Sequence, residues 1–245
     1  MNEYVLGQAD LNLLHEGMTE LGLGKLTDRQ VEQLQIYATF LVEYNEKVNL
    51  TTITAPQDIV VKHFLDSFTL LKVANFKPGQ KLIDIGSGAG FPGVPLLIWQ
   101  PELKVTLLDA LAKRLVFLEQ LLESLKLKAL LVHARAEDAG HKFKYREQYD
   151  YATARAVSNL PTLMEYAAPF LKVEGLMLAP KGPSGQQEMK DAMRAASILG
   201  LKNEQILSLK LPKLEEERLI LVFRKLYASA KQFPRGPQII KTKPL

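Results

Sequence analysis

Cysteine is absent from the 245 residues, and tryptophan occurs once. The lack of a thiol excludes a cysteine nucleophile, an iron–sulfur cluster and a structural cysteine–zinc site. No apolar run approaches the roughly 18–20 residues that a membrane-spanning helix needs. The start of the chain, Met1-Asn2-Glu3-Tyr4, lacks the basic and then apolar segments of a signal peptide. We therefore expect a cytoplasmic protein with no membrane contact.

Acidic residues are missing from one end of the chain. Positions 218–245 hold seven lysines and arginines and no aspartate or glutamate, whereas residues 1–217 carry 24 basic and 27 acidic residues. A mildly acidic body with a basic end is typical of proteins that meet a polyanion such as nucleic acid. A basic end that is only solvated is the alternative. The candidate RNA-binding residues are Lys231, Arg235, Lys241 and Lys243.

The hydrophobic pattern divides the chain into three parts. Residues 1–75 show helical spacing, most clearly over 8–22 and 27–45, and predict an N-terminal helical module packed on the rest. Thr27 and Gln30 have the spacing of a capping box at the start of the second helix. Strands and helices alternate over 76–228, which predicts a Rossmann-like catalytic domain. Residues 229–245 form the basic C-terminal tail.

Strict alternation of strand and helix predicts a parallel sheet covered on both faces. The predicted strands are 81–86, 104–109, 129–133, 149–154 and 175–180, and the predicted helices are 93–99, 113–125, 160–171 and 185–199. Two further strands, near 205–211 and 218–225, have a connection too short for a crossover. The fold class is therefore α/β, with a mostly parallel seven-stranded sheet that ends in an antiparallel hairpin.

The strongest functional signal joins the first predicted strand to the helix after it. It reads Asp84-Ile85-Gly86-Ser87-Gly88-Ala89-Gly90-Phe91-Pro92-Gly93. The last six residues fit the G-x-G-x-x-G fingerprint of dinucleotide-binding proteins. That fingerprint begins directly after the strand, whereas here the strand ends at Ile85, two residues too early. Counted from the strand end at Ile85, the pattern is Asp-x-Gly-x-Gly-x-Gly. That arrangement is typical of class I S-adenosylmethionine-dependent methyltransferases, in which the acid accepts from the ammonium end of the cofactor and the glycines allow close approach.

Charged side chains follow the later strands, at the edge where ligands of open α/β sheets bind. Asp109 ends the second strand, where a carboxylate can hold both ribose hydroxyls, although proteins that bind NAD use the same device. Glu137 follows the third strand and can face the adenine. Arg155 and Lys181 follow the fourth and fifth strands, where they would face an anion. The alternatives are helix caps for the acids and surface ion pairs, with Glu137 or Glu165, for the cations.

The absence of two sequence features limits the possible methyl acceptors. After the fourth strand the chain reads Ala154-Arg155-Ala156-Val157-Ser158-Asn159-Leu160-Pro161, without the (Asn/Asp)-Pro-Pro-(Tyr/Phe) motif that usually accompanies amino-group methylation of adenine. Carbon-5 methylation of pyrimidines needs a cysteine. Guanine N7 already has a free lone pair, so its methylation needs alignment and no catalytic base. We therefore expect no general base.

Candidates for the pocket of the target base lie on the predicted helix around 62–71. His63 and Asp66 stand three residues apart, which is too few ligands for a zinc site and favours a hydrogen-bonded pair or a pocket wall. Phe64 and Phe91 are candidates for stacking on an extruded guanine, with plain packing as the alternative. His63, Arg155 and Lys181 are the candidates for contact with the substrate, and no metal is expected.

The chain resembles the bacterial small-subunit ribosomal RNA guanine-N7 methyltransferase G family, also called glucose-inhibited division protein B. The resemblance runs from about residue 27 to the end. Its most specific parts are the Asn-Glu-Lys-x-Asn-Leu-Thr loop over 45–51 and the Gly-Phe-Pro-Gly continuation over 90–93. It also includes 62–67, 153–156 and 233–235, although Gly236-Pro237 after Pro234-Arg235 departs from the usual tail.

The resemblance implies methyl transfer from S-adenosylmethionine to N7 of a guanine in 16S rRNA of the 30S subunit. It places cofactor contacts on Gly86, Phe91, Ala136, Glu137 and Arg155. Our argument from the strand ends adds Asp84, Gly88, Gly90 and Asp109 to the same pocket. We expect a monomer. The alternatives are an NAD-dependent oxidoreductase that uses 88–93, and a non-catalytic RNA-binding or assembly factor.

Overall fold

A computed structural model describes residues 4–155 and 158–245. The chain begins with helices α1 (Gln8–Glu20) and α2 (Asp28–Asn45). A continuous helical segment over 56–72 follows, made of α3 (Pro56–Asp58), a π-helix (Ile59–Leu65), α4 (Asp66–Phe68) and a 3₁₀-helix (Thr69–Lys72). The capping box at the start of α2 is confirmed, because Thr27 N donates to Gln30 Oε1 at 2.8 Å and Gln30 N donates to Thr27 Oγ1 at 3.3 Å.

Seven strands form one sheet. They are β1 (Lys81–Ile85), β2 (Lys104–Asp109), β3 (Leu130–His133), β4 (Tyr149–Thr153), β5 (Leu171–Lys181), β6 (Leu201–Lys210) and β7 (Glu217–Lys225). Their order is β3-β2-β1-β4-β5-β7-β6. Strands β1 to β5 pair in parallel, whereas β7 is antiparallel to both β5 and β6. The predicted mostly parallel sheet with a final antiparallel hairpin is confirmed.

Helices cover both faces of this sheet. They are α5 (Gly93–Trp99), α6 (Ala112–Ser124), α7 (Ala136–Gly140), α8 (Leu160–Ala167) with a 3₁₀-helix (Ala168–Phe170), α9 (Gly185–Leu199) and α10 (Pro237–Thr242). One hydrophobic cluster joins the N-terminal helices, α5 and α6 to one face, and a second joins α8 and α9 to the other. Burial of these apolar faces, at about 25 cal/mol per Å², is the main term that holds the layers together.

The N-terminal helices share their core with the sheet. Tyr37 of α2 and Phe64 of the π-helix are fully buried in the same cluster as Val94 of α5 and Leu118 of α6. Gln33 of α2, which is also buried, donates to the Leu125 carbonyl at 2.8 Å. The helical module is thus fixed to the domain by both apolar packing and a buried hydrogen bond.

Residues 229–245 dock on the other face. Phe233 belongs to the second hydrophobic cluster and is 4% exposed. Arg146 holds the backbone of this tail by donating to the carbonyls of Phe233 at 2.8 Å, Ser229 at 2.8 Å and Ala230 at 3.0 Å. His141 Nε2 lies 2.7 Å from the Pro234 carbonyl. A docked tail has fewer conformations to lose when it meets a binding partner.

The predicted starts of two strands were wrong, and β6 begins at Leu201 instead of near 205. Strand β5 begins at Leu171, earlier than the predicted 175, and the helix before it becomes 3₁₀ after Ala167. Glu174 has a φ of +68°, and the register of β5 against β4 shifts in this region. A residue in the left-handed region interrupts the alternating pattern of a strand. Across the two described ranges, no helix is long and apolar enough to cross a membrane.

Candidate functional site

A cavity of about 1210 Å³ opens at the carboxyl ends of the central strands. Its walls come from the loop after α2, the helical segment over 56–72, the glycine loop after β1 and the residues that follow β2, β4 and β5. The predicted site residues that line it are His63, Gly86, Gly88, Phe91, Asp109, Arg155 and Lys181. Asp84, Gly90, Ala136 and Glu137 lie outside this lining.

The glycine loop after β1 is tied to the end of β2. Gly86 N donates to the Leu108 carbonyl at 2.7 Å, and Gly88 N donates to Asp109 Oδ2 at 2.9 Å. Gly88 has a φ of +57°, and a Cβ added there would meet only the Gly86 carbonyl, at 3.8 Å. The loop therefore presents open backbone to the cavity at this position.

Gly90 lies against the N-terminal helices. Its φ is +96°, and an added Cβ would lie 2.8 Å from Tyr37 Oη and 2.9 Å from Leu118 Cδ2. The Tyr37 hydroxyl donates to the neighbouring Ala89 carbonyl at 2.5 Å. Gly90 thus allows α2 to pack against the back of the loop, and its contact with the cofactor stays a prediction.

Asp84 is fully buried beneath the loop. Its Oδ2 accepts from Gly93 N, the first residue of α5, at 2.9 Å. The carboxylate therefore caps α5, the alternative role expected for an acid at this position. Its Oδ1 is buried with no partner among the residues described. Burial raises the pKa of Asp84 to about 7, against the lowering effects of the Gly93 N–H and of Arg155.

Asp109 lines the cavity and also organises it. Besides Gly88 N, it accepts from Leu111 N at 2.8 Å through Oδ1, and Arg114 Nη1 lies 3.3 Å from Oδ2. Oδ2 has both acceptor positions filled, whereas Oδ1 has one acceptor position left for a ligand hydroxyl. Arg114 was not predicted from the sequence, although it also lines the cavity.

Phe91 stands at the centre of an aromatic stack. Its ring is 4.9 Å from that of Tyr37, at an interplanar angle of 6°, and 4.2 Å from that of His63, at 17°. The Arg155 guanidinium carbon lies 4.9 Å from the Phe91 ring centre. Phe91 is only 4% exposed and Phe64 is fully buried, so neither offers a free face for a base. Of the two roles considered for these rings, the contacts favour plain packing, although Phe91 also lines the cavity.

Arg155 connects the end of β4 to the helical segment above it. Its Nη1 donates to the Lys62 carbonyl at 2.8 Å and to Asp66 Oδ2 at 3.2 Å. Its Nη2 lies 2.8 Å from His63 Nδ1. Arg218, from β7, places its Nε 3.2 Å from the other oxygen of Asp66. Two arginines thus share one buried aspartate at the edge of the cavity.

His63 is a neutral wall residue. Burial, and then the positive charge of Arg155, lower the pKa of His63 to about 3. Its Nε2 lies 3.1 Å from Thr51 Oγ1. The pairing of His63 with Asp66 that the sequence suggested is indirect, because Arg155 lies between them. The described residues contain no cluster of acids and histidines that could hold a metal ion.

Hydrogen bonds of the Asn45 side-chain amide fix the conformation of the loop after α2. Asn45 Oδ1 accepts from Leu50 N at 2.7 Å and from Thr51 N at 3.0 Å, while Asn45 Nδ2 donates to the Thr51 carbonyl at 3.0 Å. An asparagine that bonds its own loop in this way sets the backbone locally. Asn45 therefore positions Thr51, a cavity residue that the sequence argument did not single out.

The remaining cations are largely engaged within the protein. Lys181 Nζ donates to Glu188 Oε2 at 2.8 Å and to the Ser158 carbonyl at 3.0 Å, so its partner is neither of the acids predicted. Arg235 forms hydrogen bonds of 2.8 Å and 2.7 Å to the two oxygens of Glu165, which is 1% exposed. This ion pair anchors the tail, and RNA binding by Arg235 stays a prediction. Lys231, Lys241 and Lys243 are exposed.

Solved structures of the same fold include the YcgJ protein from Bacillus subtilis. It has a TM-score of 0.52 and 12% identity, over 68% of this chain and 100% of that chain. The M. jannaschii TYW2 protein in complex with AdoMet has a TM-score of 0.50 and 14% identity, over 66% of this chain and 73% of that chain. Identities this low establish the fold and nothing more.

The sequence itself is closer to one family. The family model of rRNA small subunit methyltransferase G (GidB) matches residues 30–220. Relatives named Ribosomal RNA small subunit methyltransferase G include that of Alkaliphilus metalliredigens, 42% identical over 95% of this chain and 98% of its own length. The relative from Desulfitobacterium hafniense is 46% identical over 90% of this chain and 92% of its own length. These matches confirm the family resemblance inferred from the sequence. The chain therefore belongs to the rRNA small subunit methyltransferase G family.

Proposed function

We propose that this protein transfers a methyl group from S-adenosylmethionine to N7 of one guanine in 16S rRNA of the small ribosomal subunit. The observation that carries the proposal is the cavity of about 1210 Å³ in which the glycine loop and Asp109 lie beside β1 and β2, and Arg155 lies beside β4. Membership of the rRNA small subunit methyltransferase G family supports the same activity.

The residues present fit this cofactor. Gly88 has open space where a side chain would stand, and Asp109 Oδ1 has one unused acceptor position that suits a ribose hydroxyl. Asp84 Oδ1 is buried outside the cavity lining and has no partner among the described residues, so it would act on the ammonium group of the cofactor through an intervening water molecule. Bound there, S-adenosylmethionine supplies a methyl group on a positively charged sulfur. Ala136 and Glu137 follow β3 and lie outside the cavity lining. They could therefore contact adenine only across the residues that line the cavity.

The residues of the chain act by alignment. The lone pair of guanine N7 forms the new bond to the methyl carbon, and the electron pair of the broken carbon–sulfur bond stays on sulfur. No proton leaves the base, so no side chain has to act as a base. Arg155, His63 and Phe91 form a fixed wall at the end of β4, because each is buried against the other two. A rigid wall holds the base in line and keeps water away.

The rRNA partner would approach along the open side of the cavity, which cations surround. Arg114, Lys181 and Arg218 line the cavity, and Lys62 lies at its edge. Phosphates of an RNA backbone are attracted to such a surface. We propose that the protein works as a monomer on the 30S subunit in the cytoplasm.

Labelled S-adenosylmethionine tests the activity directly. The protein is incubated with small subunits, or with 16S rRNA, from a strain that lacks the enzyme, and the labelled nucleotide is mapped. We expect one N7-methylguanine. Gly88→Asp should abolish transfer because it fills the open position, while Gly236→Ala is the matched control, since no atom lies within 4 Å of its added Cβ.

The outcomes separate the three functions considered. Absence of label from the rRNA would rule out the methyltransferase, and label at another atom would rule out guanine N7. Calorimetry that detects NAD binding without S-adenosylhomocysteine binding would instead support an oxidoreductase. A non-catalytic assembly factor would keep its cellular role when Gly88→Asp removes cofactor binding.

A further inference from the structure

The Thr51 hydroxyl ends a hydrogen-bond chain whose direction is imposed by its first member. Arg155 Nη2 lies 2.8 Å from His63 Nδ1, and a guanidinium has donors only. Nδ1 must accept, so the ring proton of the neutral imidazole is on Nε2. Nε2 then donates to Thr51 Oγ1 at 3.1 Å. The low pKa of His63 agrees with a ring that stays neutral in this arrangement.

A second donor completes the set of bonds on Thr51. Ile53 N–H donates to the same Oγ1 at 3.0 Å. A hydroxyl oxygen has two acceptor positions, and both are now filled. The hydroxyl proton of Thr51 has no acceptor among residues 4–155 and 158–245. Since Thr51 is half-buried and lines the cavity, its hydroxyl can interact with a bound molecule only as a donor.

We propose that Thr51 selects guanine by donating a hydrogen bond to O6 of the target base. Guanine presents two neighbouring acceptors, N7 and O6, whereas adenine presents an amino donor beside its N7. A donor of fixed direction next to the N7 position therefore favours guanine. Adenine would bring two donors together, which leaves both unpaired. This inference rests on the proposed methylation of guanine N7.

The order of the strands supports a contact with the base. Strand β1 lies between β2 and β4. Asp109, the candidate for the ribose, ends β2, whereas Arg155 and His63 connect Thr51 to the end of β4. Thr51 thus lies on the opposite side of β1 from Asp109, away from the candidate ribose site. The carboxylate of the cofactor is the competing acceptor on that side.

Substitution of both the enzyme and the base tests the pairing. Methyl transfer is measured for wild type and Thr51→Val on small subunits that carry guanine or 2-aminopurine, which lacks O6, at the methylated position. Either change alone should lower kcat/KM about tenfold, the order expected for one lost hydrogen bond. The two changes together should lower kcat/KM by less than about threefold more than either change alone, since both remove the same hydrogen bond.

Two further variants complete the experiment. Thr51→Ser keeps the donor and should retain wild-type activity, and Thr54→Val changes an exposed residue of the same loop and should have no effect. The pairing with O6 would be overturned if replacement of guanine by 2-aminopurine lowered kcat/KM by the same factor in wild type and in Thr51→Val. Weaker binding of S-adenosylhomocysteine by Thr51→Val would overturn it in favour of the cofactor carboxylate. Failure of the wild type to methylate guanine would instead contradict the proposed function.

Discussion

Asp84 is enclosed on all sides, and its ionisation lacks the hydration that an exposed carboxylate has. Burial raises the pKa of Asp84 to about 7. In the unfolded chain an aspartate has a pKa of about 3.9, so the folded protein binds this proton more tightly. The stability that the protonated form contributes is complete below about pH 4 and is lost as the pH rises through about 7.

Asp84→Asn removes this titration and keeps an oxygen for Gly93 N–H. We expect the difference in unfolding free energy, variant minus wild type, to rise by about 2–3 kcal/mol between about pH 5 and pH 8. Urea denaturation followed by the fluorescence of Trp99 measures it. The variant should also bind S-adenosylhomocysteine at least about tenfold more weakly, because the acceptor for the ammonium is gone. A difference that is independent of pH would show that Asp84 is already ionised in the folded protein.

At the scale of elements, the helical segment over 56–72 depends on one buried carboxylate. Asp66 is 5% exposed and faces Arg155 from β4 and Arg218 from β7. Buried charges of this kind add little net stability when all are present, but removal of one leaves the others uncompensated. Asp66 therefore couples the position of the segment to both halves of the sheet.

Arg155→Met keeps an apolar stem over Phe91 and removes every hydrogen bond of the guanidinium. We expect the free energy of unfolding to fall by about 2–4 kcal/mol, because Asp66 loses one of its two partners and His63 loses its donor. Arg155→Lys should recover less than half of the loss, since one ammonium cannot serve three acceptors in this geometry. Trp99 fluorescence in urea measures both. A loss below about 1 kcal/mol would mean that Arg218 compensates for the missing charge.

At the scale of the whole molecule, the basic end is divided between anchoring and exposed residues. Arg235 is fixed to buried Glu165, whereas Lys241 and Lys243 are exposed. Exposed lysines that contact RNA phosphates release counterions, and affinity then depends on salt. The two groups should therefore respond to substitution in different ways.

Lys241→Gln with Lys243→Gln should reduce the slope of log affinity against log salt by about 1–2, if each lysine meets one phosphate. Stability and cofactor affinity should stay at wild-type values. Arg235→Gln is the contrasting variant: it should lower the melting temperature and leave the slope unchanged. Fluorescence anisotropy with labelled 16S rRNA gives the slopes. An unchanged slope in the double variant would mean that the lysines are only solvated.

Elements with strong local patterns were predictable from the sequence. The bounds of α9 (Gly185–Leu199) and β2 (Lys104–Asp109) agree with the prediction, because apolar spacing and flanking turn residues are local signals. The position of the glycine loop was predictable for the same reason. The start of β5 was not, since the positive φ of Glu174 depends on how the strand meets β4.

Contacts between distant parts of the chain were beyond the sequence argument. Arg155 and Asp66 are 89 positions apart, and Arg235 and Glu165 are 70 apart. No local spacing relates such residues, so the charges were read as exposed cations free to meet a ligand. The same limit applies to Gly90 and Phe91, whose neighbour Tyr37 comes from a helix far earlier in the chain.

The order of the sheet has a consequence for synthesis on the ribosome. Strand β6 leaves the ribosome before β7, yet its only neighbour in the sheet is β7, which occupies the place beside β5. A nascent chain that stops before Glu217 therefore holds β6 with no strand to pair with, and lacks Arg218 at the cavity. Closure of the sheet and completion of the cavity are then a single late event. A truncated product is left with unpaired strand edges, which favours its aggregation and its removal by proteases.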